Sequence, residues 1–308
     1  MPDAVGAPRA ASQPSKEPFF YGGQAVIEGV MMRGRHHYAI AVRLSRSGEI
    51  RVQRGRLTGS IYSGSFWRLP FVRGLAMLAE QMHLGMKSLI WSAAVSAGEE
   101  EVELGRRELL ISVGLALVAV LALFIGLPLL GAGLAARHAG SVGFTLVEGV
   151  IRAALVLGYL VLIARVPDVR RVFQYHAAEH MTINAFESGW PLEVEQVRRA
   201  SRLHPRCGTG FVVVVLVISI VLFSLFGFLN PNWLGLIVSR LVGIPVIAGL
   251  GYESIRFMAR HPRQRVVRVL IRPVLWTQLL TTREPSDDML EVGIAALRAA
   301  REDEVAAA

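Results

Sequence analysis

The stretch LLISVGLALVAVLALFIGLPLLGAGLAA, Leu109–Ala136, runs for 28 residues without one charged side chain. A helix needs about 20 apolar residues to cross a hydrocarbon core, so this stretch by itself predicts a membrane span. Working outward, Gly208–Ser239 adds another 32 uncharged residues, interrupted by Asn230-Pro231-Asn232. Proline fixes φ and asparagine accepts turn geometry. The run is therefore read as two spans, 211–229 and 233–251, joined by a turn. A further span over 143–164 opens with Glu148 and Arg152 and is apolar from Ala153 to Ala164. The reading is a mainly α, polytopic membrane helix bundle of about four spans, occupying 109–251.

The remaining composition fits that reading. The 308 residues are 53% hydrophobic and 19% charged, with a net charge of +9. Such apolarity excludes a disordered chain, and a single cysteine, Cys207, excludes a disulfide scaffold. Of the 33 basic residues, 14 lie in 1–108, 7 in 165–210 and 9 in 252–308, whereas 137–142 holds one and 230–232 none. By the positive-inside rule, both termini and the central loop are expected in the cytoplasm. The basic residues are 31 Arg and 2 Lys. They flank the spans and carry no aromatic stacking motif, so the expected partners are the lipid bilayer and its anionic headgroups, not nucleic acid.

The first 18 residues lack the apolar core of a signal peptide and are read as a disordered tail. Residues 38–44 and 49–54 alternate in polarity around Ser45-Arg46-Ser47-Gly48, a hairpin pattern. With glycines at 22, 23, 29 and 34, this predicts a small β-containing cytoplasmic module over 19–65. Residues 66–108 supply a helix at 71–97, interfacial or packed on the bundle, with a fifth span as the alternative, and a charged run at 99–108. Residues 252–308 form a cytoplasmic helical tail. Within it, Arg265, Arg268 and Arg272 recur at helical spacing among apolar residues, as on a membrane-surface helix. A last helix starts near Ser286-Asp287-Asp288.

The chemistry concentrates in the central loop, 165–210. His176 and His180 are one helical turn apart and project from one face, with Glu179 beside them. The spacing H-x-x-E-H is that of inverted zinc proteases. His204 and Cys207 follow across a proline-containing turn. Two imidazoles from a helix with a third nitrogen or a sulfur make a tetrahedral zinc set, and Glu179 is the candidate base. If all four residues ligate, the site is closed and structural; if three ligate, one position stays open. Glu28 and Glu253, acids in apolar settings, are candidate additional ligands or orienting groups. Glu148, Arg152 and Arg240 place charge inside the spans. Glu148 and Arg152, at i and i+4, are read as an ion pair in preference to a transport pathway.

Five ordered motifs carry a resemblance: GGQAVIEGVMMRG (22–34), YHAAEHMTI (175–183), HPRCGTGF (204–211), SRLVGIPVIAGLGYE (239–253) and QLLTTREPSDDMLEVGIAAL (278–297). Together they resemble the YqhQ-like family of bacterial membrane proteins, whose function is undetermined and which is described as a predicted metal-dependent enzyme. The resemblance runs from Tyr21 to Leu297 and implies a multi-pass protein of the bacterial inner membrane. Its motif histidines fall on His176, His180 and His204, its cysteine on Cys207, and its acids on Glu28, Glu179 and Glu253. This chain departs from the family's pattern at Ala177, where a glycine is usual, and at Met181, where a lysine is usual.

The expected function is a metal-dependent hydrolase with a divalent cation, zinc in the first place, acting on a membrane-proximal or lipid-linked substrate. The alternative is a non-catalytic scaffold or regulator with a structural metal. A homo-oligomer or a membrane-protein partner is left open.

Overall fold

The computed structural model describes residues 21–58, 66–98, 106–136, 138–227, 229, 232–261 and 263–306. The expected tail 1–18, the charged residues 99–105, and Asn230 and Pro231 of the expected turn lie outside the described residues. Asn232 is described. It caps the following helix, its side chain accepting from the Gly235 amide at 2.8 Å.

Strands β1 (Gly22–Val26), β2 (Gly29–Arg33), β3 (His37–Arg43) and β4 (Ile50–Arg56) form an antiparallel meander in chain order. Val30 pairs with Ala41 and Ile40 with Gln53. Alternation sorts the side chains of the two central strands, since successive residues point to opposite faces. Val30, Met32, Ala39 and Ala41 share a core with α5 (Pro167–Glu187) and α10 (Asp287–Ala306). Val26, Met31, Tyr38, Ile40 and Val42 share another with Leu84, Trp91 and Val95 of α1 (Val72–Ala97). The sheet is therefore covered on both faces, which explains why VMM and YAIAV are almost continuously apolar. Elements up to 270 residues apart in sequence thus form one packed unit, a connection that no local pattern announces.

Four described helices are long and apolar enough to cross a membrane. The first, Leu110–Ala135, comprises α2 (Arg106–Leu121), a π-helical turn at Ala122–Gly126 and α3 (Leu127–Ala135). The others are α4 (Gly140–Ile163), α7 (Gly208–Gly227) and α8 (Trp233–Arg260), and α4, α7 and α8 pack in sequence. The small helix α6 (Val194–Val197) interrupts the loop after α5, and α9 (Arg265–Thr281) follows α8. Helix α8 outruns the expected 233–251 by nine residues. Pro245 lies inside the helix, but no proline falls between Gly251 and Pro262, so the polar end continues and packs on α1. Helix α1 is not among the four.

Where spans meet, Glu148 of α4 is fully buried and hydrogen-bonds both Arg152 and Arg240. Arg152 also donates to the Phe124 carbonyl at 3.0 Å and the Ser219 hydroxyl at 3.3 Å. The Phe124 carbonyl lies in the π-helical turn, where widening of the helix reroutes backbone hydrogen bonds. Arg240 stacks over the Phe223 ring at 4.5 Å. The i,i+4 pair is thus made, with a second arginine from 92 residues away.

Candidate metal centre

Helix α5 begins at Pro167, favoured in a first turn where no amide partner is needed. Its inner face is buried from Tyr175 to Ala185 except at His176 and Asn184. His176 and His180 stand on this face, ring centroids 4.4 Å apart in an edge-on arrangement. Cys207 immediately precedes α7 and its carbonyl takes the Phe211 amide, so it occupies the helix N-cap, where negative charge is favoured. His176 Nε2 lies 3.1 Å from Cys207 Sγ. One ligand atom each from His176, His180 and Cys207 lie within 4.8 Å of one another. Donors around a tetrahedral ion with bonds of 2.0–2.3 Å sit roughly 3.5 Å apart, so the three fit a small divalent cation.

The far side of each ring is fixed by backbone. His176 Nδ1 donates to the Thr281 carbonyl at 2.8 Å, and His180 Nδ1 to the Arg202 carbonyl at 2.7 Å. With Nδ1 carrying the proton, each Nε2 lone pair is left for a ligand. Thr281 ends α9, and its carbonyl is one of the four without an intrahelical partner there. Gln278, one turn earlier and fully buried, brackets the His204 backbone: its side chain accepts from the amide at 2.9 Å and donates to the carbonyl at 2.8 Å. The Thr281 hydroxyl meets Thr209 Oγ1 at 3.3 Å, which lies 3.0 Å from Cys207 Sγ. Gln278 and Thr281 both lie in the 278–297 motif, but nothing in the sequence assigned them a role; the readable signal was polar residues on a helix face that otherwise buries Val267 and Val274.

His204 lies beside the cluster, its ring centroid 5.5 Å from that of His180. It is outside the three-donor group. Its Nε2 is buried without a hydrogen-bond partner and faces Glu187 Oε2 at 3.8 Å, too long for a hydrogen bond. Burial holds the His204 imidazole below its ordinary pKa and so in the neutral, ligating form. Burial would raise the Glu187 carboxyl, but His204 and Arg206 outweigh it and hold it below the ordinary range.

Glu179 is buried and accepts from the Gly23 amide of β1. The strand approaches so closely that a Cβ on Gly23 would sit 2.9 Å from Glu179 Oε1 and 2.6 Å from the Met31 carbonyl. Only glycine fits there. Burial pushes the Glu179 carboxyl up to about 7, against the opposing influences of His176 and the Gly23 hydrogen bond. A cation at the three donors would draw it back toward the carboxylate.

The remaining acids are engaged elsewhere. Glu28, at φ +53° in the β1–β2 turn, is held by Arg171 and faces the Tyr175 hydroxyl at 3.4 Å. Glu253 takes Arg73 Nε at 2.7 Å and the Phe71 amide at 3.3 Å. Neither belongs to the three-donor group. Glu148, Arg152 and Arg240 form the separate cluster inside the bundle.

The family described as "Protein of unknown function (DUF1385)" matches residues 69–303. The "Uncharacterized protein YqhQ" of Bacillus subtilis (strain 168) is 34% identical over 294 residues, covering 91% of each chain. No solved structure matches.

Proposed function

From a chain that belongs to the DUF1385 family, we propose a membrane-embedded, metal-dependent hydrolase acting on a membrane-proximal or lipid-linked substrate. What carries this reading is the convergence of one donor atom each from His176, His180 and Cys207, with both histidine Nδ1 atoms already committed to carbonyls. Three protein donors leave one position of a tetrahedral ion open, the arrangement of catalytic zinc sites. A divalent cation, zinc in the first place, supplies Lewis acidity there. Glu179, one residue before His180 and within electrostatic reach of His176, is proposed to accept the proton of the attacking water. The basic flanks of the spans support a site on the cytoplasmic face of a bacterial inner membrane.

The test is metal content and turnover of the purified full chain. The reading expects one equivalent of zinc, lost in His176→Ala and His180→Ala, and retention of metal with loss of turnover in Glu179→Gln. Unchanged metal content in both histidine variants would overturn it.

One observation favours a second reading, a scaffold or regulator with a structural metal: the unpartnered Nε2 of His204 beside the three donors. Were His204 a fourth ligand, the site would be closed. His204→Ala decides between them, since a three-donor centre keeps its metal and a four-donor centre loses it.

A further inference from the structure

Helix α9 divides its surface into three stripes. Val267, Val274, Gln278 and Thr281 are buried, and the helix packs on α7, a candidate span. Val266, Val269, Leu270 and Trp276 are exposed, Trp276 by 66%. Arg265, Arg268 and Arg272 form the third stripe, exposed and, among the described residues, without an acidic partner. At 100° per residue the exposed apolar stripe lies between the basic one and the buried one. A helix with that division rests in a membrane surface, with its apolar stripe among acyl chains and its arginines among phosphates. The unpaired arginines supply charge complementarity, and contact with α7 makes the stripe continuous with a span.

The buried stripe has another use. Its C-terminal turn supplies the Thr281 carbonyl to His176, the Thr281 hydroxyl to Thr209, and both side-chain ends of Gln278 to the backbone of His204. One continuous helix, with Pro273 inside it, thus joins the exposed arginines to the groups that aim the metal donors.

We propose that α9 docks on anionic lipid and that this docking sets the metal affinity of the His176–His180–Cys207 centre. The inference rests on the metal-centre reading above and adds its regulation. Groups that orient metal ligands change affinity by about 10–100-fold when removed, and coupling between sites commonly amounts to 5–150-fold.

The experiment places the full chain in nanodiscs of phosphatidylcholine, with and without phosphatidylglycerol, and measures Zn²⁺ affinity by competition with a chelating dye. Tighter binding by about fivefold or more in the anionic bilayer is expected. The triple variant Arg265→Gln, Arg268→Gln, Arg272→Gln should abolish that difference, and the triple Arg→Lys variant should restore it. Equal affinity in both bilayers would overturn the inference while leaving the metal centre standing. No zinc binding in either would overturn the metal centre and the coupling with it. The docking has its own readout, independent of metal: brominated phosphatidylglycerol should quench the fluorescence that Trp276→Phe removes. An unquenched Trp276, as when a second copy of the chain covers α9, would also overturn the inference.

Discussion

Two buried polar clusters stand out among the described residues, and they are built on opposite plans. In the bundle, Glu148, Arg152 and Arg240 meet each other, Ser219, a π-turn carbonyl and an aromatic face. Beside the sheet, one donor atom each from His176, His180 and Cys207 lie within 4.8 Å of one another, and the Nδ1 atoms of both histidines are tied to carbonyls. A cluster that closes on itself locks helices together. A cluster that saves its lone pairs for a common centre is organised to hold something else.

The sharpest way to break this contrast is Glu148→Ala. It would leave two guanidinium groups buried without their carboxylate, and removal of one partner from a buried ionic cluster costs about 3–5 kcal/mol. Thermal unfolding in detergent should show that loss; a tolerated substitution would mean that water reaches the arginines. The second cluster should behave differently. His180→Ala should abolish metal binding and, by leaving the Arg202 carbonyl unpaired, cost the metal-free protein about 1–3 kcal/mol. Chelation of the wild type, starting from metal at 100 times its dissociation constant, should cost about 2.7 kcal/mol. The histidine variant should show no response to chelator. A smaller effect sharpens the role of the supporting groups: Gln278→Leu should weaken zinc binding by about 10–100-fold, read by chelator competition. The smallest effect belongs to an exposed pair. Arg199→Ala removes a contact to Glu195, both side chains more than half exposed, and should shift stability by no more than about 0.5 kcal/mol.

How much of this was legible in the sequence follows from the range of each interaction. The spans were legible because crossing a bilayer is a matter of local composition. The Glu148–Arg152 spacing and the His176–His180 face were legible because both partners lie on one helical turn. Arg240 reaches Glu148 from 92 residues away, Arg171 reaches Glu28 from 143 and Arg73 reaches Glu253 from 180. No periodicity encodes such pairings. The sheet read locally as a small module, yet α1, α5 and α10 cover its two faces, since strands apolar on both sides need cover on both. The roles of Gln278 and Thr281 were hidden for the same reason: their partners, His204 and His176, lie 74 and 105 residues away.

The central claim is that the three converging donors hold a metal ion. Elemental analysis of the purified full chain, beside His176→Ala, His180→Ala and Cys207→Ser, tests it most directly. One equivalent of a divalent metal in the wild type, lost or sharply reduced in each variant, is the predicted result. A wild-type chain without metal after incubation with zinc, or variants that bind as much as the wild type, would contradict it.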